Sequence, residues 1–380
     1  MRAASQGNTT NTAPGASTTT PAEVENASPE NKGLHIGTHI ALLVPMSGAS
    51  QKTGVELIQA AQLALFDAGT AAASGIALQP FDTKNTDEGT VKAMKQARAA
   101  GADIILGRFS RASARLLHDD IKNSPVPVIA LSNDASLAPE GMLVLGSTPS
   151  EQIETVVDYA FNNNIRALSL LVADNDSGRN AASVVKEYIL NNTLKINGTE
   201  SYRNVKAGLM EGLARILAQP AAAPGDSSGK SEALLMPDAG SALLTLLNRM
   251  KQQPEIGRRF QLLGSSAWDD ESFSHEKALL GAWFATTPPE LRKQFEDRFQ
   301  ATYNYRPLKS ASLAYDAVSL TVSLAKGGGI SREALADAHG FNGINGLFRF
   351  NVDGLAEHSL VVMEITEYGF AAIQTGADSF

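Results

Sequence analysis

The feature that most constrains the fold is an alternation of short apolar runs with amphipathic stretches, which begins at residue 38. The run HIALLVP is continuously apolar, as expected of a parallel strand that is covered on both faces. After it, Leu57, Ala61 and Leu65 recur at helical spacing, and Gly69 supplies a stop. The same alternation continues through most of the chain. It predicts an α/β protein with parallel sheets and right-handed crossovers.

The length of the chain predicts two lobes, because 380 residues exceed one ordinary hydrophobic core. The alternation also falls into two blocks, and the second begins near residue 148. We predict two Rossmann-like, doubly wound lobes joined by a hinge of several crossovers, near 147–149, 285–289 and 344–352. The N-terminal lobe is predicted over 38–147 with 288–345, and the C-terminal lobe over 148–287 with 346–380.

Residues 1–37 differ in composition from the rest of the chain. They are rich in Ser, Thr, Asn, Ala and Pro and contain almost no large apolar side chain. Such a segment cannot bury enough surface to offset the entropy of ordering it. We predict a disordered tether, which is either a natural linker or an extension introduced by cloning.

Composition argues against several classes of protein. The net charge of -8 disfavours a nucleic-acid-binding surface, which normally carries a basic patch. No apolar run approaches the roughly 20 residues that cross a bilayer, so we expect membrane contact only through a tether or a partner. The chain contains no cysteine, which excludes disulfides, thiolate metal sites and a cysteine nucleophile within it.

Signatures of catalysis are missing from the sequence. It contains no GxSxG elbow and neither of the glycine-rich phosphate loops GxGxxG and GxxxxGK[ST]. The histidines are scattered, and acidic pairs such as Asp119 and Asp120 are adjacent, so they cannot readily face each other as acid and base. We therefore predict that the protein is not an enzyme and holds no metal and no cofactor.

Candidate binding residues follow the predicted strands, because open α/β sheets bind ligands beyond the carboxyl ends of their strands. These positions are rich in hydroxyl and short polar groups, several of them at helix N-termini that suit a carboxylate. The predicted residues of the interlobe cleft are Ser47, Gly48, Phe109, Ser110, Arg111, Ser132, Asn133, Asp134, Asp174, Ser177, Asp238, Ser266 and Trp268. The serines and aspartates have a structural alternative as caps of helices and turns. Trp268 is either a wall of the cleft or part of the core.

Several motifs resemble those of type I periplasmic binding proteins, the leucine/isoleucine/valine-binding family and its relatives. The segments are IALLVPMSG, ADIILGRFS and VPVIALSND in the first block, and the later RFQATYNYRPLKSASLAYDAVSL. The resemblance extends over roughly residues 38–370. It implies the bilobal fold, a small polar ligand in the cleft and, for a transport receptor, an ABC permease as partner.

A narrower resemblance is to the bacterial penicillin-binding protein activator lipoproteins. The segments QAAQLALFDAG and PSEQIETVVDYA and the low-complexity tether are similar to theirs. This resemblance implies a non-enzymatic periplasmic protein, lipid-anchored upstream of the given chain, that contacts a class A penicillin-binding protein in peptidoglycan synthesis. The alternative is the solute-binding receptor of an ABC transporter for an amino acid or a similar small polar metabolite.

The amino-acid-binding pattern of the family is only partly present. The family typically uses a Ser-rich loop after the third strand and an Ala-Ala-Thr-like stretch after the fourth, where this chain has Ser110–Ala112 and Ser132–Asp134. Thr53 stands where an aromatic residue is common, and the nearest acid to the expected ammonium partner is Asp269. These differences predict either another small ligand or a cleft that has lost a receptor's role.

Overall fold

The alternating pattern folds as alternating strands and helices in the computed structural model, which describes residues 37–222 and 230–380. Within these ranges the strands form a five-stranded, a seven-stranded and a three-stranded sheet. The prediction of a two-lobed α/β protein with parallel sheets is confirmed. The predicted tether lies outside the described residues except for Gly37.

The first lobe is built on the five-stranded sheet, whose order is β2-β1-β3-β4-β5 and whose strands all run parallel. Its strands are β1 (Thr38–Val44), β2 (Ile76–Asp82), β3 (Ile104–Gly107), β4 (Val128–Ala130) and β5 (Leu143–Val144). Its helices up to this point are α1 (Gln51–Ala68), α2 (Thr70–Ala73), α3 (Asp87–Ala99), α4 (Arg111–Leu116) and α5 (His118–Lys122). The single helix predicted after β3 is thus divided at Leu117.

The second lobe begins with the same alternation of strand and helix. Its first strands are β6 (Ala167–Ala173), β7 (Lys195–Tyr202), β8 (Glu232–Leu235), β9 (Phe260–Gly264) and β10 (Trp283–Thr286). Its helices are α6 (Pro149–Asn162), α7 (Asp176–Asn191), α8 (Ala207–Ala218), α9 (Gly240–Gln252) and α10 (Glu255–Arg259). Apolar clusters cover both faces of the sheet, which explains why strands such as β8 and β9 are buried along their whole length.

The remainder of the chain adds helices and strands to both lobes. Its helices are α11 (Pro289–Tyr303), α12 (Ala311–Gly327) and α13 (Arg332–Leu335). Its strands are β11 (Phe341–Gly343), β12 (Gly346–Phe350), β13 (Ala356–His358), β14 (Val361–Thr366) and β15 (Gly369–Gln374). Strand β14 pairs antiparallel with β10, and β15 pairs antiparallel with β14. They complete the seven-stranded sheet, in the order β15-β14-β10-β9-β8-β6-β7.

The three-stranded sheet of β11, β12 and β13 is a feature that the sequence analysis missed. Its strands are only three to five residues long and pair antiparallel. Phe348, Phe350 and Ala356 pack in the same cluster as β1 and α12 of the first lobe. We therefore propose that the last crossover lies between β13 and β14, later than the predicted boundary after residue 345.

Two glycines let the helix that follows each lobe's first strand approach the end of that strand. A Cβ atom at Gly54 in α1 would lie 1.7 Å from the carbonyl oxygen of Pro45. A Cβ atom at Gly178 in α7 would lie 1.9 Å from the carbonyl oxygen of Ala173. No other side chain fits at such a distance, so these glycines set how the N-termini of α1 and α7 meet their strands. Within the described ranges, no helix is both long and apolar enough to cross a membrane.

Candidate functional site

A cavity of about 290 Å³ lies where residues of both lobes and of the crossovers meet. We call it the central cavity. Most of its lining residues carry hydroxyl, amide or charged side chains, and a few are apolar. The lining residues are Arg108, Leu131, Ser132, Asn133, Gly146, Ser147, Gln152, Ser266, Asp269, Thr286, Thr287, Arg292, Lys309, Ser310, Ser312, Leu313, Asn345 and His358.

The position of the central cavity follows from the topology of the chain. Asn133 comes after β4, and Ser266 comes after β9, so each lobe presents the carboxyl end of a central strand. Ser147 precedes α6, Thr287 follows β10, and His358 ends β13, so every predicted crossover region contributes a lining residue or lies beside one. A ligand in this cavity would contact both lobes and the crossovers between them, which are the parts of the chain involved in a hinge motion.

Asp269 is the acidic side chain that lines the central cavity, and it is already engaged by two cations. Its carboxylate lies 2.5 Å from the guanidinium of Arg292 and 3.5 Å from the ammonium of Lys309. The Thr286 hydroxyl donates to the same carboxylate over 3.3 Å, and Lys309 also donates to the backbone carbonyl of Asp269. Arg292 lies in α11 and Lys309 lies just before α12. Because both helices pack in the apolar cluster of the first lobe, Asp269 joins the two lobes.

Arg108 is the contrasting case on the wall of the central cavity. It follows β3 directly and is exposed. Its guanidinium makes no hydrogen bond and no ion pair with the residues that the structure describes. The lining therefore contains three cationic side chains, Arg108, Arg292 and Lys309, and one carboxylate, Asp269. The cavity carries a net positive charge.

A buried network fixes one wall of the cavity. Asp316 in α12 accepts hydrogen bonds from the backbone N–H groups of Ile344 and Asn345 at 2.7 and 3.1 Å. The Asn345 side chain also donates to Asp316 over 2.7 Å and accepts from the Ser312 hydroxyl over 3.1 Å. Burial raises the pKa of Asp316 to about 6, although these hydrogen bonds and the nearby His358 act in the opposite direction.

His358 is held against the same wall. Its imidazole is 2% exposed and lies 3.3 Å from the Glu151 carboxylate, and its backbone N–H donates to Glu151 as well. Gln152, the next residue of α6, accepts from the Ser266 backbone N–H over 3.0 Å and donates to the Ser147 carbonyl over 3.1 Å. These contacts orient the cavity-lining side chains of the hinge.

Three of the predicted site residues line the central cavity, namely Ser132, Asn133 and Ser266. A second concavity of about 410 Å³, the side groove, is lined by Arg111, Asn133, Asp134 and Ser177 together with Asp176. Arg111 binds Asp134 within the first lobe over 2.9 Å and reaches Asp176 of the second lobe at 3.6 Å. The side groove therefore also spans both lobes.

Phe109 and Ser110 line a different cavity of about 410 Å³, which is built from first-lobe residues. Ser110 is the N-cap of α4: its hydroxyl accepts from the Ser113 N–H, and the Ser113 hydroxyl accepts from the Ser110 N–H. It also donates to Asp87 over 2.5 Å. The structural alternative that the sequence left open, helix capping, accounts for Ser110.

Ser47 and Gly48 line none of these three cavities within the described residues. The Ser47 hydroxyl donates to Asp82 over 2.7 Å, and the Met46 N–H donates to the same carboxylate over 2.8 Å. Burial raises the pKa of Asp82, but the donors Met46, Lys84 and Ser47 outweigh it and hold the pKa below its usual value. Ser47 therefore fixes the turn after β1.

The remaining predicted residues of the second lobe have structural partners. Asp174 binds Arg179 over 3.2 Å and Arg203 over 2.5 Å at the surface. Asp238 accepts from the Tyr202 hydroxyl over 2.6 Å and from the Ala173 N–H over 3.2 Å. Both carboxylates thus tie strand ends together rather than lining the central cavity.

Trp268 belongs to the core, so the expectation that it forms a cleft wall is corrected. It is 0% exposed and packs within the apolar cluster of the second lobe. A Cβ atom at Gly264 would lie 2.2 Å from the indole, which shows how closely the ring covers the end of β9. The indole N–H donates to the Asp238 carbonyl over 3.0 Å. Gly264, four residues before Trp268, leaves room for the buried indole and is the sequence signal for it.

The central cavity also contains residues that the sequence analysis did not place in the site. They come from the crossovers, from the segments around the starts of α6, α11 and α12, from the loop after β9 and from the ends of β10 and β13: Gly146, Ser147, Gln152, Asp269, Thr286, Thr287, Arg292, Lys309, Ser310, Ser312, Asn345 and His358. The signal available was the set of polar residues at the three predicted crossovers. Among the described residues, no three His, Asp or Glu side chains are arranged to hold a metal ion.

Comparisons with known proteins identify the family of the chain. A protein-family model described as "Periplasmic binding protein" matches residues 37–370. One curated relative, an uncharacterized protein of Rickettsia prowazekii, is 22% identical over 165 residues. That match covers 43% of this chain and 43% of the relative, so it spans less than half the length of either protein.

Solved structures share the fold over most of the chain. A protein from Rhodospirillum rubrum ascribed to branched-chain amino acid ABC transport has a TM-score of 0.74 at 16% identity, covering 89% of this chain and 100% of that one. A branched-chain amino acid ABC transporter periplasmic ligand-binding protein from Burkholderia xenovorans has a TM-score of 0.70 at 14% identity, covering 90% and 95%. LivJ from Streptococcus pneumoniae, solved with isoleucine, has a TM-score of 0.61 at 18% identity, covering 90% and 100%. At these identities the similarity concerns the fold.

Proposed function

We propose that this chain, which belongs to the periplasmic binding protein family, is an extracytoplasmic receptor that binds a small carboxylate-bearing metabolite between its lobes. The family implies a periplasmic location and the type I bilobal fold. The observation that carries the proposal is the central cavity of about 290 Å³, which both lobes and the hinge line with polar and charged side chains. Its volume is close to the lower end, about 300 Å³, of ordinary ligand pockets.

The placement of the cavity supports a binding role rather than catalysis. A ligand held between the lobes stabilises the closed form only if it contacts both lobes, and this lining meets that condition with Asn133 on one side and Ser266 on the other. The Asp269 carboxylate is ion-paired with Arg292 and Lys309 and does not form an activated nucleophile with a base. We propose an ABC permease as the partner that receives the ligand.

The proposal is tested by a thermal-shift panel of amino acids, oxo acids, hydroxy acids and small amides. A ligand far above its Kd raises the melting temperature, because it binds the native state and not the unfolded chain. We expect one chemical class to produce a saturable rise. Asn133→Leu, which fills the cavity, is expected to abolish the rise, and Asn162→Leu on the exposed surface of α6 serves as the matched control. Absence of a shift throughout the panel contradicts the proposal.

The narrower role as a penicillin-binding protein activator, with an upstream lipid anchor, stays a prediction from the sequence. The solved structures described above are transport proteins, which favours the receptor. Co-purification of the full-length protein with a class A penicillin-binding protein, together with no stabilisation by the metabolite panel, is the result that would favour the activator.

A further inference from the structure

We propose that the central cavity selects carboxylates that carry no neighbouring ammonium group, such as 2-oxo or 2-hydroxy acids, over the matching amino acids. This inference rests on the proposed receptor function and specifies its ligand. An amino acid presents two charges, and a site that binds it well must offer both a donor set for the carboxylate and an acceptor set for the ammonium. The cavity offers donors for the carboxylate, whereas the acceptor on its lining, Asp269, is already paired with two cations of the protein.

The acceptor that an ammonium would use is Asp269, the carboxylate on the wall of the central cavity. Its side chain is 11% exposed and lies within reach of Arg292 and Lys309 at 2.5 and 3.5 Å. The Thr286 hydroxyl donates to the same oxygen, Oδ2, that Arg292 binds. The other oxygen, Oδ1, accepts no hydrogen bond from the described residues, but a ligand's ammonium there would lie beside the positive charges of Arg292 and Lys309, which repel it.

Two further acids lie close to the cavity but do not line it. Glu151 accepts from the backbone N–H of His358 through one oxygen; its other oxygen, Oε2, is buried without a hydrogen-bond partner among the described residues and lies 3.3 Å from the His358 imidazole. Asp316 lies behind Asn345 and accepts from three donors on that wall. A ligand in the cavity therefore meets neither carboxylate directly.

The donor set for a carboxylate is available. Arg108 lines the cavity, and its guanidinium has no hydrogen-bonding or ion-pair partner among the described side chains. An arginine fork binds a carboxylate through two parallel N–H···O bonds. Hydroxyls of Ser132 and Ser310 lie on the same lining, and α12 begins beside them, so its positive end also favours an anion. The positive charge of the enclosed site further raises the local concentration of anions.

Isothermal titration calorimetry of the whole chain with matched pairs tests this inference, because each pair differs at one group. The pairs are L-leucine with 4-methyl-2-oxopentanoate and L-glutamate with 2-oxoglutarate, extended to the 2-hydroxy acids and to the other common amino acids. We expect the best oxo or hydroxy acid to bind at least about tenfold more tightly than its amino acid, since the net positive charge of the lining repels the ammonium.

Variants of the lining assign the effect to the cavity. Arg108→Gln is expected to weaken the bound carboxylate by at least about tenfold, because it removes a charge-assisted contact. Arg108→Lys is expected to recover part of the affinity, and Arg115→Gln, an exposed arginine of α4 outside the cavity, is expected to leave it unchanged. Equal weakening by Arg108→Gln and Arg115→Gln overturns the assignment to the cavity.

The outcomes separate this inference from the receptor function. Tighter binding of an amino acid than of its oxo and hydroxy analogues overturns the inference and leaves the receptor function standing. Absence of binding by every member of the panel overturns the receptor function and the inference together. Preference for the oxo or hydroxy acid, with weaker binding of that acid in Arg108→Gln, supports both.

Discussion

Arg111 in α4 and Asp176 in α7 approach within 3.6 Å across the opening between the two lobes. Each also has a partner on its own lobe, because Arg111 binds Asp134 over 2.9 Å and Asp176 binds Arg179 over 2.7 Å. The side chains of Arg111 and Asp176 are 52% and 75% exposed. Closer to the hinge, Arg292 and Asp269 make a second interlobe ion pair that is almost fully buried. The two ion pairs join the same lobes but differ in their exposure to solvent.

Asp176→Asn is expected to leave the free energy of unfolding nearly unchanged. The attraction is weak because water and salt screen exposed pairs, and Arg111 and Arg179 keep Asp134 and Asp174 as partners. Urea denaturation at low and high salt measures the effect. A clear loss of stability that persists at high salt would show that Asp176 holds the lobes together.

Arg292→Gln is expected to lower the free energy of unfolding by about 2 kcal/mol or more. The substitution leaves the buried Asp269 carboxylate with Lys309 as its remaining cation, and an under-compensated buried charge is costly. Urea denaturation of Arg292→Gln and of Lys293→Gln, its exposed neighbour in α11, makes the comparison. The double variant Arg292→Gln/Asp269→Asn is expected to recover part of the loss. Equal effects of Arg292→Gln and Lys293→Gln would contradict this account.

Gly54→Ala and Gly178→Ala are each expected to destabilise the protein by about 1–3 kcal/mol, the usual cost of overpacking a tight contact. A methyl group at either position meets a strand carbonyl at less than 2 Å, so the helix must move away from its strand. Gly327→Ala is the control, because Gly327 ends α12 with no atom within 4 Å of its Cβ position. Thermal denaturation of the three variants measures the difference, and wild-type stability of Gly54→Ala would contradict it.

Asp316 is expected to make the protein relatively more stable as the pH falls from about 6 to about 4. Burial raises the pKa of Asp316 to about 6 in the native state, above the usual aspartate value of about 3.9, so the folded protein binds a proton in that interval and the unfolded chain does not. Two pKa units correspond to about 3 kcal/mol at most. Urea denaturation at pH 7 and pH 4.5 is expected to show that acidification favours the wild type over Asp316→Asn. Parallel pH dependence of the two proteins would contradict the raised pKa.

The architecture was accessible from the sequence because local patterns determine it. The apolar runs at β1, β3 and β4 are buried along nearly their whole length, and a parallel sheet covered on both faces requires that. The three-stranded sheet escaped notice because β11 and β13 have only three residues each, too few for a periodic pattern. Its burial depends on packing against the first-lobe core, which is a long-range contact.

The site was less accessible, since one sequence does not show which polar residues meet. Of the serines predicted to lie in the cleft, Ser132 and Ser266 line the central cavity, whereas the equally plausible Ser47 and Ser110 bind Asp82 and Asp87. Asp269 was noticed as the nearest acid to the expected ammonium partner. Its neutralisation by Arg292, 23 residues later, follows from the crossover that brings α11 to the hinge.

The most direct test of the receptor function is a crystal structure of the protein with the ligand that most stabilises it. The account predicts electron density for that ligand in the central cavity, with its carboxylate at Arg108 and contacts to Asn133 of one lobe and Ser266 of the other. Density confined to another site, or an unoccupied central cavity at a ligand concentration far above Kd, would contradict it.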